Sequence, residues 1–165
     1  MSLRGPGVFR HVPVLVREAL EWLRVREDGI YVDATVGSGG HAALIAERAR
    51  RGKVLGLDRD PLAVELARQR LAAYPHVTVL HANYGELRAV LDTLGIAQVS
   101  GVLIDAGVSS MQLDDPERGF SFQAEGPLDM RMNTLAMPSA KEFLSGISEE
   151  DLAEVLTKYG DVTRA

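Results

Sequence analysis

The sequence has no cysteine, which excludes disulfides and thiolate-held metals and fits a reducing compartment. No apolar run approaches the roughly 18 residues that a membrane-spanning helix requires, so no membrane partner is expected. The first ten residues carry two arginines and no apolar stretch, so no secretory signal is expected from them. None of the four histidines stands at zinc-site spacing from another His or a carboxylate, so no metal is expected either. Repeats and low-complexity segments are lacking. A basic surplus, the usual mark of a nucleic-acid binder, is lacking too. The net charge is −5, with 13 acids and 13 bases in residues 1–114 against 10 acids and 5 bases in residues 115–165. Bulk charge therefore weighs against an RNA partner unless a local basic surface, or residues outside this chain, hold it.

What is present suffices for one compact core with a small appendage: 165 residues, 46% hydrophobic and 25% charged. Val14 to Leu23 places apolar residues at helical spacing after Pro13. Ile30-Tyr31-Val32 reads as a buried strand, followed by the Gly-rich loop Gly37-Ser38-Gly39-Gly40 and a helix over 41–49. Lys53 to Leu57 is a second strand, and Asp60-Pro61 opens a helix with a capping acid and a proline at its first position. Val77 to Leu80 is a third strand, Tyr84 to Leu94 a helix, and Gly101 to Ile104 a fourth strand. Val-, Ile- and Leu-rich strands alternating with helices predict an α/β fold, a parallel doubly wound sheet. After Asp105 the pattern changes. Residues 106–138 show no clean period, and Pro138 to Tyr159 reads as helical, with Ser148 and Asp151 resembling a capping box. The division expected is a core over 1–112 and a second segment over 113–165.

The chemistry gathers at the predicted strand ends. Asp33 ends the first strand, just before glycines that let the backbone approach a ligand and a helix N-terminus with free N–H groups. Asp58 ends the second strand, 21 residues after Gly37, where a carboxylate can accept from both hydroxyls of a ribose. The loop alone also satisfies the dinucleotide pattern, so a nicotinamide-dependent oxidoreductase stands as one alternative and a non-catalytic RNA-binding protein as another. Two features favour S-adenosylmethionine. Asn83 and Tyr84 follow the third strand, where a ring can pack on adenine, and Asp105 ends the fourth near a sulfonium or amino group. Asp33 beside the loop suits a cationic amino acid and repels a pyrophosphate.

Longer segments carry a more specific signal. They are His11-x-Pro13-Val14-Leu15, Gly29-Ile30-Tyr31-Val32-Asp33-Ala34-Thr35-x-Gly37-x-Gly39-Gly40-His41, Asp58-x-Asp60-Pro61, Asp105-x-Gly107-Val108-Ser109-Ser110-x-Gln112-Leu113-Asp114, Arg118-Gly119-Phe120-Ser121-Phe122 and Gly126-Pro127-Leu128-Asp129-Met130-Arg131-Met132. Together they resemble the bacterial family of small-subunit ribosomal RNA methyltransferases that modify the exocyclic amine of a cytidine in 16S RNA. The resemblance implies a cytoplasmic enzyme with a Rossmann-like methyltransferase core and a helical substrate domain inserted after strand four. It implies S-adenosylmethionine contacts at Gly39, Gly40, His41, Asp58, Tyr84, Asp105 and Gln112, with the small ribosomal subunit as partner. Tyr84 replaces a frequent Phe, Ser38 and Ala106 replace Arg and Leu, and Tyr159-Gly160-Asp161 departs from the family's Tyr-Gly-Glu-Glu. For the chemistry, Asp105 and the backbone of residues 107–110 are candidates to accept an amine hydrogen, and Phe120, Phe122 and Met130 candidates to pack on the base. Four strands would leave Val102 to Ile104 on an open edge, so the chain is expected to be part of a longer enzyme, poorly stable and inactive alone.

Overall fold

The computed structural model describes residues 13–162, so His11 and its neighbour lie outside the described residues. The chain divides into two compact units between Ser110 and Met111.

The first unit is a parallel sheet of four strands: β1 (Ile30–Asp33), β2 (Lys53–Asp58), β3 (Val77–His81) and β4 (Gly101–Leu103). Their order is β3-β2-β1-β4, so β1 lies inside and the chain reverses its direction of travel between β1 and β4. In open α/β sheets ligands bind outside the carboxyl ends of the strands at such a reversal. Alternation along each strand feeds two separate apolar clusters, one per face. Tyr31, Val54 and Val79 pack with Leu20 of α1 (Val16–Leu23), Ile45 of α2 (Gly40–Arg48), and Val64 and Leu71 of α3 (Pro61–Leu71). Val32, Leu55 and Leu57 pack on the other face with Leu91 of α4 (Leu87–Thr93) and with Ile96. Helices thus cover both faces, which is what makes the sheet doubly wound. Pro61 fills the first position of α3, and the Asp60 carboxylate caps that helix by accepting from the Leu62 N–H at 3.0 Å. The only polar group of Tyr31 is satisfied within the core: its hydroxyl accepts from the Arg26 N–H at 2.8 Å and donates to the Arg24 carbonyl at 3.2 Å. β4 pairs with β1 alone, and Val102 and Ile104 are exposed.

The second unit is built differently. It holds α5 (Ser110–Asp114, whose first residue belongs to the first unit), a 3₁₀ turn over Pro116–Arg118, α6 (Ala140–Gly146) and α7 (Glu149–Tyr159). Buried here are Met111, Gln112 and Arg118. Local polar contacts give it its shape. The Arg131 guanidinium donates to both oxygens of Asp129, with contacts of 2.6 and 3.0 Å, and holds that carboxyl below its ordinary range. Arg118 donates to the carbonyls of Arg131 and Met132 at 2.9 and 3.2 Å.

Two expectations need correction. The run read as one helix from Pro138 to Tyr159 is two, broken at Ile147 and Ser148. Ser148 Oγ accepts from the Asp151 N–H and starts a new helix, and Asp151 answers the Ser148 hydroxyl rather than its backbone. A complete capping box sits instead at Ser139 and Glu142. The helix read from Tyr84 likewise begins as a 3₁₀ turn, Tyr84–Glu86, before α4.

Candidate functional site

The loop leaving β1 is strapped to both neighbouring strands. The Ala34 N–H donates to the Leu103 carbonyl of β4, and the Val36 N–H to the Leu57 carbonyl of β2, each at 2.8 Å. The chain then turns through Gly37 to Gly39, where φ is +83°, a conformation that costs an L side chain about 1–2 kcal/mol. A Cβ at Gly39 would also meet the Leu71 side chain at 3.1 Å, and one at Gly40 would meet Pro13 at 2.4 Å. Both glycines therefore let the loop lie close against its surroundings while α2 begins directly at Gly40. The first N–H groups of that helix have no partner within it, as at any helix start, and can receive an electron-rich ligand atom.

His41 follows, half-buried, with Nε2 at 2.9 Å from the Val14 carbonyl. A carbonyl only accepts, so that nitrogen carries the proton and ties α2 to the chain entering α1. Pro13 against Gly40 and Val14 against His41 give the Pro13-Val14-Leu15 segment a physical role as a brace for the Gly-rich loop.

Asp58 closes the loop from the β2 side. Its Oδ2 accepts from the Gly37 N–H at 2.9 Å and its Oδ1 from the Asp60 N–H at 3.0 Å. Partial burial raises its carboxyl, and these N–H bonds oppose the shift. A carboxylate oxygen has a second lone pair, so both remain able to accept from a ribose. Asp58 thus fixes the loop as well as offering itself to a ligand, a role its strand-end position did not announce.

Asp105 follows β4 and is exposed. Its N–H donates to Thr35 Oγ1 at 2.8 Å, joining the ends of β1 and β4 across 70 residues of sequence. Thr35 escaped notice as a site-building residue; its place two residues after Asp33 was the available signal. Tyr84 opens the turn after β3, 44% exposed. Asn83 and Glu86 form a capping box that sets this turn, with the Asn83 side chain accepting from Gly85 at 3.0 Å. Asp33, the glycines, His41, Asp58, Tyr84 and Asp105 all follow or end strands of one sheet on its carboxyl side. Gln112 is buried on α5 of the second unit. In that unit Phe120 is half-buried, Phe122 fully exposed, and Met130 48% exposed.

Charge at the strand ends is of one sign. Asp33 is 1% exposed, and burial, reinforced by Asp58 and Asp105, pushes its carboxyl up to about 7. Its buried Oδ2 has no hydrogen-bond partner. Three carboxylates suit a ligand with a positive end and disfavour a pyrophosphate, which would bring two more negative charges to them. The residues present therefore fit S-adenosylmethionine: glycines for close approach, a strand-end acid for a ribose, an aromatic ring, and negative charge for a cation. Among the described residues no group of three or more His, Cys, Asp or Glu side chains is placed to hold a metal ion. No described helix is long and apolar enough to cross a membrane.

Comparison with known proteins agrees with this chemistry. Proteins named ribosomal RNA small subunit methyltransferase H align along nearly all of the chain. That of Sorangium cellulosum is 49% identical over 161 residues, covering 97% of this chain and 51% of the relative. That of Neisseria meningitidis is 45% identical over 160 residues, covering 96% and 49%. That of Caldicellulosiruptor bescii is 43% identical over 155 residues, covering 93% and 50%. The chain spans about half the length of these curated relatives. A solved rRNA methylase from Streptococcus thermophilus overlaps it more loosely, with 23% identity, a TM-score of 0.42, and 48% and 49% of the two chains covered. Residues 8–165 match the MraW methylase family, and the chain belongs to that family.

Proposed function

We propose that the protein transfers a methyl group from S-adenosylmethionine to the exocyclic amine of a cytidine in 16S ribosomal RNA, acting on the small subunit in the cytoplasm. The observation that carries this reading is the convergence of Asp33, Asp58 and Asp105 with the Gly39-Gly40 loop at the sheet's point of reversal. The relatives named for small-subunit RNA methylation support the substrate.

The cofactor supplies a methyl group on a sulfonium, open to in-line displacement. Gly39, Gly40 and the first turn of α2 receive its amino acid end, Asp58 the ribose, and Tyr84 the adenine. Gln112, carried by the family pattern, is assigned to the same cofactor. Catalysis then consists mainly of alignment between the amine and the methyl group. A cytosine amine is a weak nucleophile because its lone pair is shared with the ring. An acceptor for one of its hydrogens strengthens the attack. The exposed Asp105 and the backbone of residues 107–110 stand at the end of β4 and are the groups assigned to that task. Asp105 takes the proton as the C–N bond forms and the C–S bond breaks.

The nicotinamide alternative has no observation in its favour, since it would set a pyrophosphate beside three carboxylates. Mass spectrometry of 16S RNA from a strain lacking the gene tests the proposal. One methyl group should be missing at a single cytidine and should return on complementation. An unchanged RNA mass would overturn the substrate assignment.

A further inference from the structure

Of the three strand-end acids, the protein hides the middle one. Asp33 ends β1, flanked by β2, which ends on Asp58, and by β4, after which comes Asp105. Its Oδ1 accepts a long hydrogen bond from the Thr35 N–H at 3.4 Å, the Ala42 N–H of α2 also faces it, and its Oδ2 is buried without a partner. The charged groups that act on it among the described residues are Asp58 from β2 and Asp105 from the end of β4, both negative. His41, in the first turn of α2, directs Nε2 to the Val14 carbonyl. A buried carboxylate with no cation and an unfilled oxygen is unfavourable as an anion. It rests either by holding a proton or by receiving a positive group.

We propose that Asp33 is the buried counter-charge for the cationic amino acid end of the cofactor, and that cofactor binding expels a proton from it to solvent. This rests on the S-adenosylmethionine reading given above. In the ligand-free protein the acid holds its proton up to about pH 7. An ammonium group brought to the loop favours the charged form. The O–H bond of Asp33 breaks, the proton passes to water, and carboxylate and ammonium attract through protein that screens them less than water does. Affinity for the cofactor then depends on pH through a residue beneath the loop rather than on its surface.

Calorimetric titration of the natural protein tests this, with S-adenosylhomocysteine, which keeps the ammonium, and adenosine, which lacks it. Measurements run from pH 5.5 to 8.5 in two buffers of different ionisation heat. S-adenosylhomocysteine affinity should be flat above about pH 7.5 and fall toward about tenfold per pH unit in acid. Close to one proton should be released per ligand near pH 6, and adenosine should show neither effect. Asp33→Asn, an isostere of the protonated acid, should bind S-adenosylhomocysteine weakly at every pH and release no proton. Retained adenosine binding by this variant shows that its site is formed. A pH-independent affinity in the natural protein would overturn the inference while leaving the cofactor reading intact. So would a pH slope that survives in Asp33→Asn, since it would belong to His41 or Asp58. S-adenosylhomocysteine that binds at no pH would overturn the cofactor reading and this inference together.

Discussion

The two units of this chain are stabilised by different physics. In the first, Val32, Ala42, Ile45, Val54 and Leu57 are fully buried, and two apolar clusters sandwich the sheet. In the second, every residue of α6 and α7 keeps some exposure, and the shape comes from helix caps, the Asp129–Arg131 pair and the Arg118 contacts to backbone carbonyls. Burial of a whole aliphatic side chain contributes about 1.5–3 kcal/mol, whereas a cap contributes about 1 kcal/mol and a surface ion pair less. The site residues that need fixed positions, Asp33, Asp58 and the glycine loop, all stand on the first, apolar-packed unit. Rigid packing and ligand geometry thus go together here.

The comparison can be broken most directly in the core. Ile45→Ala should cost about 2–5 kcal/mol, the range for emptying a fully buried aliphatic position. The same truncation at Leu156, 39% exposed on α7, should cost less than about 1 kcal/mol. Denaturant unfolding of both variants checks this, and equal losses would erase the distinction.

Asp33 is the exception within the packed unit, and pH exposes it. Its folded value is raised, from 3.8 to about 7. Between those values the folded protein holds a proton that the unfolded chain has released. Its contribution therefore favours folding below about pH 4, is lost as pH rises toward 7, and changes no further above. At about 1.4 kcal/mol per unit of displacement, the ligand-free protein loses up to a few kcal/mol across that window. Asn has no proton to lose. Asp33→Asn should therefore be more stable than the natural protein at pH 8 and nearly equal to it at pH 4.5. Unfolding curves at the two pH values decide it, and a variant less stable at pH 8 would contradict the burial argument.

The smallest effects belong to the second unit. Ser139→Ala removes the cap that accepts from the Glu142 N–H, and Ser148→Ala the one that accepts from Asp151. Each should lower stability by about 1 kcal/mol, read as a loss of helical signal at low denaturant, with no change in the cooperative transition of the first unit. A change of several kcal/mol in that transition would show that the second unit supports the core far more than its own packing indicates.

How much of this was legible in the sequence follows the same division. The four strands, the Gly-rich loop and the Asp60 cap announced themselves, because alternation, glycine and N-cap chemistry are local signals. The break between α6 and α7 was less legible, because apolar spacing runs through Ile147 and only Ser148 marks the restart. The acids at the strand ends were visible, but not what holds them. The Thr35–Asp105 link spans 70 residues, and Asp58 bonds a loop 21 residues before it. The depth at which Asp33 is buried depends on three strands at once. No window of sequence contains such contacts, so a sequence can name these residues without revealing which of them carries charge.

The central claim is that the strand ends of the first unit receive an adenosine-bearing, positively charged cofactor held at Asp58. Titration of the natural protein and of Asp58→Ala with S-adenosylhomocysteine and with NAD tests it most directly. The account predicts that S-adenosylhomocysteine binds and NAD does not. Asp58→Ala should weaken the former by about 1.5–3 kcal/mol, the usual loss for hydrogen bonds to a charged group. Tight NAD binding, or an Asp58→Ala variant that binds S-adenosylhomocysteine as well as the natural protein, would contradict it.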